Sequence, residues 1–200
     1  HGWACPENEL CSHHVAVPRF AAIRQRILDR RQRRVLDLGC LDGWCLLNLA
    51  AGNCIGVGVD LNEEALAIGR ARAAKYGFNL TFLQSAIEDL DLWEERENDT
   101  ADGDLVQTRH QLEFDAIIIS EVLEHVLDPL ACLKAARRHL APDGVLYLSV
   151  PATPIPHKGK WDDAKLHLRV FTEDQLRTLC RQAGLHTTVD HEIVGQREDD

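Results

Sequence analysis

The 200 residues are 45% hydrophobic, enough for one domain to bury a sizeable core without disulfides or metals. A formal charge of −10 argues against a nucleic-acid backbone as the partner. No apolar run approaches the roughly 18 residues of a membrane span, and the first residues lack the basic-then-apolar signal pattern, so a cytoplasmic protein is expected. Seven cysteines, an odd number, most of them in or beside apolar segments, predict buried reduced thiols rather than a disulfide framework.

Residues 1–33 read as an N-terminal arm and a helix, and residues 34–200 as the domain they lead into. In the arm, Cys5, Cys11, His13 and His14 lack the paired spacing of a zinc site and read as structural. Phe20, Ile23, Ile27 and Leu28 recur at helical spacing and predict one stripe laid on a sheet. The arginines between Arg24 and Arg34 predict a solvated face.

Val35-Leu36-Asp37-Leu38 is an apolar strand that runs into Gly39-Cys40-Leu41-Asp42-Gly43 and then into an apolar helix from Trp44 to Ala50. A strand, a glycine turn and a helix start let a ligand lie on bare backbone, and the helix's free N–H groups suit an anion. The run from Cys54 to Asp60 predicts a second buried strand, with an acid at its tip placed to accept two hydrogen bonds from ribose hydroxyls. Asn62 is the expected cap of the next helix, with Glu63 and Glu64 in its first turn and Gly77 at its stop.

A third strand runs from Leu80 to Gln84, and the turn Ser85-Ala86-Ile87-Glu88-Asp89 beyond it would face an adenine edge. Residues 91–113 are acidic, rich in turn formers and without periodicity, which predicts an inserted surface loop. The run from Phe114 to Ser120 is apolar on both faces, as central parallel strands are, and it delivers Glu121-Val122-Leu123-Glu124-His125. Asp128-Pro129 opens a helix through Leu140, Pro142-Asp143-Gly144 closes it, and residues 145–150 make a fifth strand.

Residues 151–169, with three prolines, His157, Lys158, Lys160, Trp161 and His167, predict a substrate lid on the edge of the glycine turn. Thr172-Glu173-Asp174-Gln175 is a capping box for a helix ending at Gly184, and residues 185–194 predict a sixth strand. The arm, the acidic insertion and the lid are the least patterned regions, and they are expected to shape the acceptor pocket.

VLDLGCLDG, GVGVDLNEEAL, FDAIIISEVLEHVLDP, HLAPDGVLYLSVP and HLRVFTEDQLRTLCRQAGL together, in that order, resemble the class I S-adenosylmethionine-dependent methyltransferases over residues 34–184. The resemblance implies a doubly wound, mostly parallel α/β sheet with helices on both faces, Rossmann-like. No segment remains here for the family's last strand. It also implies S-adenosylmethionine across the carboxyl ends of the strands, on Asp37, Gly39, Cys40, Gly43, Asp60, Leu61, Ala86, Ile87 and Ser120. Asp37 would lie near the methionine ammonium and Asp60 on the ribose. The family pattern has a glycine where Leu41 stands and an acid where Ala86 stands, with Glu88 as the substitute acid.

If residues 121–125 are helical, Glu121, Glu124 and His125 share one face at the end of a strand where substrates bind. In one reading, EVLEH resembles the segment of metal-free small-molecule methyltransferases, including the ubiquinone-biosynthesis O-methyltransferases. His125 is then base or orienter for an acceptor hydroxyl, with Glu121 beside it and His157 and His167 as the other histidines in reach. In the other, Glu121, Glu124, His125 and His167 hold a divalent metal, an arrangement that resembles the metal-dependent small-RNA 2′-O-methyltransferases with their aromatic-Thr helix start, here Phe171-Thr172. A third reading makes the acids plain surface groups, and a non-catalytic cofactor-binding or interaction domain stays open beside these. The acidic charge favours a small metabolite methylated at oxygen over RNA. Oligomeric state is not legible.

Overall fold

Strands that are apolar on both sides need cover on both faces, and the chain supplies it by alternating strands with helices. The computed structural model describes residues 17–99, 105–151 and 167–186. In chain order these form α1 (Val17–Asp29), β1 (Arg34–Leu38), α2 (Trp44–Ala50), β2 (Ile55–Asp60), α3 (Glu63–Tyr76), β3 (Leu80–Gln84), β4 (Trp93–Asp99), β5 (Leu105–Gln111), β6 (Phe114–Ser120), α4 (Pro129–Arg138), β7 (Leu140–Ser149) and α5 (Glu173–Gln182). Five strands pair, all parallel, in the order β3-β2-β1-β6-β7. The crossovers diverge between β1 and β6, and open α/β sheets take their ligands at the carboxyl ends beside such a switch.

Successive residues of the central strands feed opposite sides of the sheet. Leu36, Leu38, Ile117 and Ile119 pack with Leu133 and Ala136 of α4 and Cys180 of α5. Val35, Ala116 and Ile118 pack with Phe20 and Ile27 of α1, Leu46 and Leu49 of α2, and Leu66 of α3. The stripe foreseen on α1 is therefore part of the core. Asn62 accepts the Ala65 N–H at 3.1 Å, Asp128 accepts the Ala131 N–H at 3.0 Å, and Thr172 with Gln175 completes a capping box. Each such cap is worth about 1 kcal/mol.

Two expectations are corrected. Residues 91–113 hold a two-stranded antiparallel hairpin, β4 with β5, instead of an irregular loop. Fully buried His139 fixes its base: Nε2 accepts the Leu92 N–H at 3.4 Å and the Nδ1 side donates to the Leu112 carbonyl at 2.9 Å. That pairing requires the neutral ring with its proton on Nδ1. Arg34, at the start of β1, pairs with Glu94 at 3.2 Å, so the hairpin stands on the amino edge of the sheet, opposite the glycine turn. The base of the hairpin thus stands away from the carboxyl edge, where the acceptor pocket is expected. The second correction is β7, which starts at Leu140 and carries Pro142 to Gly144 in an irregular stretch where the register with β6 shifts. The zinc-like residues of the arm, the sixth strand after His186 and most of the lid lie outside the described residues.

Candidate functional site

The glycine turn after β1 carries three left-handed residues, Gly39 at φ 79, Leu41 at φ 50 and Gly43 at φ 71. The N–H groups of Gly39 and Cys40 both donate to the Val59 carbonyl, at 2.8 and 3.1 Å, which clips the turn to β2. A Cβ on Gly39 would overlap Val122, and one on Gly43 would overlap the Phe82 ring. On that side the missing side chains make room for protein, not for a ligand. Gly43→Ala is expected to lose about 3 kcal/mol, from left-handed strain plus overpacking against Phe82. Urea unfolding measures this, and a loss below about 1 kcal/mol would contradict the packing argument.

Asp37, on β1, is buried, and its Oδ2 has no hydrogen-bond partner. Burial, and then the charge of Asp60, raises its carboxyl from 3.8 to about 7. Asp60, at the tip of β2, is partly exposed and already oriented: Oδ2 accepts the Leu41 N–H at 2.8 Å and Oδ1 the Asn62 N–H at 2.9 Å. A carboxylate has about four acceptor positions, so lone pairs remain for a ligand. Leu61 beside it is exposed, while Ile87 packs into the core and Ala86 is half-buried. Glu88 lies against the buried Cys132 thiol, so the substitute acid is turned toward α4. Cys40 is buried with its thiol pushed up by burial and by Asp37, and Cys45, Cys54, Cys132 and Cys180 are likewise free thiols.

On the other side of the switch residues 121–125 are not helical, so the condition for Glu121, Glu124 and His125 sharing one helix face is not met. Glu121 sits at φ 57, and a turn closed by the His125 N–H to the Val122 carbonyl at 2.9 Å follows it. The two acids therefore part. Glu121 accepts the Ser149 hydroxyl at 3.2 Å and pairs with Arg19 of α1 at 3.4 Å, while Ser149 and Ser120 share a hydrogen bond of 3.0 Å. Glu124 is fully buried with neither oxygen hydrogen-bonded, and burial raises its carboxyl.

His125 Nε2 lies 3.8 Å from Glu124 Oε1, and His167 meets the His125 ring edge-on at 4.8 Å between centroids. The Leu168 N–H to the Glu124 carbonyl, at 2.9 Å, holds the two segments together. Glu124, His125 and His167 thus form one group whose ligand atoms lie within 4.8 Å of one another. Glu121 stands apart from it, which shrinks the expected four-residue metal set to three. His157 lies outside the described residues. Arg19 and Ser149 escaped sequence reasoning because no motif or spacing marks either.

Likenesses to known proteins bear on this arrangement. The family described as a methyltransferase domain matches residues 12–189. The ubiquinone biosynthesis O-methyltransferase of Haemophilus ducreyi is 33% identical over 150 residues, 74% of this chain and 58% of that protein. The enzyme of the same name from Aromatoleum aromaticum is 27% identical over 211 residues, 98% of this chain and 80% of that protein. The chain spans 58% of the length of the first of these relatives. Among solved structures, S-adenosylmethionine-bound CalS10, an amino pentose methyltransferase from Micromonospora echinaspora, superposes with a TM-score of 0.51 at 24% identity, over 68% of this chain and 51% of that one, which is a likeness of fold. With the family match running through the glycine turn, the strand-tip acid and the Glu124-His125 segment, the chain belongs to the class I S-adenosylmethionine-dependent methyltransferases.

Proposed function

We propose that this chain transfers a methyl group from S-adenosylmethionine to an oxygen of a small-molecule acceptor. One observation carries the reading: a buried acid with an unmatched oxygen, Asp37, and an oriented strand-tip carboxylate, Asp60, flank the glycine turn, with the exposed ring of His125 beyond the switch point. An unmatched buried carboxylate suits an ammonium, and open lone pairs on Asp60 suit paired hydroxyls, so the residues fit the cofactor. When bound, it supplies an electrophilic methyl group on a sulfonium.

In this reading Asp37 takes the ammonium and Asp60 the ribose hydroxyls. Gly39, Cys40, Gly43 and Leu61 line that half, Ala86 and Ile87 offer backbone groups to the adenine, and Ser120 borders the acceptor side. His125 receives the proton of the acceptor hydroxyl as its oxygen attacks, His167 backs its ring, and Glu121, held by Arg19 and Ser149, lines the acceptor side apart from it. Holding the oxygen in line contributes much of the acceleration, since effective molarities of well-placed groups reach about 10⁵ M and more. The acceptor class rests on the names of the relatives and on the charge of −10, which disfavours RNA. Among the described residues no helix is long and apolar enough to cross a membrane. A cytoplasmic setting is part of the proposal.

A second reading, in which Glu124, His125 and His167 hold a divalent ion, is favoured by their grouping and by the unmatched oxygens of Glu124. One experiment separates the two. Calorimetry is expected to show binding of S-adenosylmethionine and S-adenosylhomocysteine, and labelled methyl is expected to reach hydroxylated small molecules in the presence of EDTA. Failure to bind either form ends the proposal. Transfer that stops in EDTA and returns with manganese moves the assignment to the metal reading.

A further inference from the structure

Leu41 costs the free protein twice. It holds φ 50, a left-handed conformation that glycine adopts freely and leucine does not. The residue is also 52% exposed, leaving apolar surface in water. A glycine would carry neither cost. The turn is held here by contacts that include the Leu41 N–H to Asp60 at 2.8 Å, the Gly43 N–H to the Cys40 carbonyl at 2.9 Å and the Asp42 side chain to Arg72 at 2.6 Å. None of them uses the leucine side chain. Strain kept in place by its surroundings points to a role outside the free fold.

The position says where that role lies. One hydrogen bond separates the Leu41 backbone from the Asp60 carboxylate, and Leu61, the residue after Asp60, is 68% exposed. Two bare leucines therefore bracket the acid at the tip of β2. We infer that Leu41 is a cofactor-contact residue, whose side chain covers the sugar held by Asp60 and withdraws its own apolar surface from water only in the complex. This rests on the S-adenosylmethionine reading above. It makes Leu41 a gain for binding, whereas a leucine that merely narrows the turn would obstruct it, so the two differ in sign.

The test is calorimetry of the full chain with S-adenosylhomocysteine, with thermal unfolding of the ligand-free protein alongside. Leu41→Gly is expected to melt at the same temperature or higher, yet to bind about three- to tenfold more weakly, the fold-change that covering half a leucine side chain corresponds to. Leu41→Ala keeps the left-handed strain and loses the contact, so it is expected to bind as weakly as the glycine variant without its gain in melting temperature. If either variant binds as tightly as the native chain or tighter, the inference is overturned. If the native chain itself does not bind, the S-adenosylmethionine reading fails first, which the native titration shows separately.

Discussion

Replacing His125 with Ala is expected to lower the turnover of methyl transfer by about two to four orders of magnitude, the range for loss of a positioned general base, while the affinity for S-adenosylhomocysteine stays within about twofold. An acceptor hydroxyl is a poor nucleophile until its proton leaves, and a nearby imidazole removes it without a strong base in solution. His125 has the access for this, with its side chain 40% exposed. It also has support, because His167 backs the ring edge-on and Glu124 lies 3.8 Å from Nε2. The cofactor contacts proposed for Asp37 and Asp60 lie across the switch point on β1 and β2. Single-turnover kinetics with cofactor bound measures the effect. Unchanged turnover would remove His125 from the mechanism, and a parallel loss of cofactor affinity would reduce it to a structural role.

Asp37→Asn is expected to stabilise the ligand-free protein at pH 8 and to weaken its hold on S-adenosylmethionine. The folded chain raises the Asp37 carboxyl to about 7 from 3.8, chiefly by burial, so the folded state holds this proton more tightly than the unfolded chain does. The resulting contribution to stability is fully present below about pH 4 and is lost as pH rises toward 7. Above that the ligand-free protein keeps a buried charge whose Oδ2 has no partner. Asparagine has no such charge, although its amide also needs partners. The net gain at pH 8 is roughly 1–3 kcal/mol, or about 2–10 °C in melting temperature, and at pH 5 the gain disappears. Binding of S-adenosylmethionine should fall by about 30- to 100-fold, because the ammonium loses its carboxylate. Equal stability differences at pH 5 and pH 8, or full affinity, would refute the account.

Much of the carboxyl edge is legible in the residues themselves. The strand into Gly39, the acid at Asp60, the caps at Asn62, Asp128 and Thr172, and the apolar run through Ile117, Ile118 and Ile119 each follow from local physics that the tertiary structure leaves intact. The misreadings have causes too. Trp93-Glu94-Glu95 shows no apolar alternation because the β4–β5 pair leans on its own backbone ladder and on His139, so its pattern never had to match a core. Residues 121–125 carry helical spacing, but Glu121 turns to φ 57 and the helix waits for Asp128 and Pro129, where the cap and the ring's fixed φ agree. Burial of Glu124 was equally hidden, since nothing in the spacing of 121–125 marks which of its two acids goes inside.

The bond from the Leu168 N–H to the Glu124 carbonyl also sets an order of assembly. The cofactor half is tied by short-range contacts, with Leu41 and Asp60 only 19 residues apart. The acceptor half is tied by Leu168 and by Arg169, whose guanidinium reaches the Leu127 carbonyl across 42 residues. On a ribosome delivering about 5–20 residues per second, Asp37 and Asp60 emerge well before His167 exists. The acceptor half is therefore finished last, and hydrogen exchange is expected to be faster at the Leu168 amide than at the Leu41 amide.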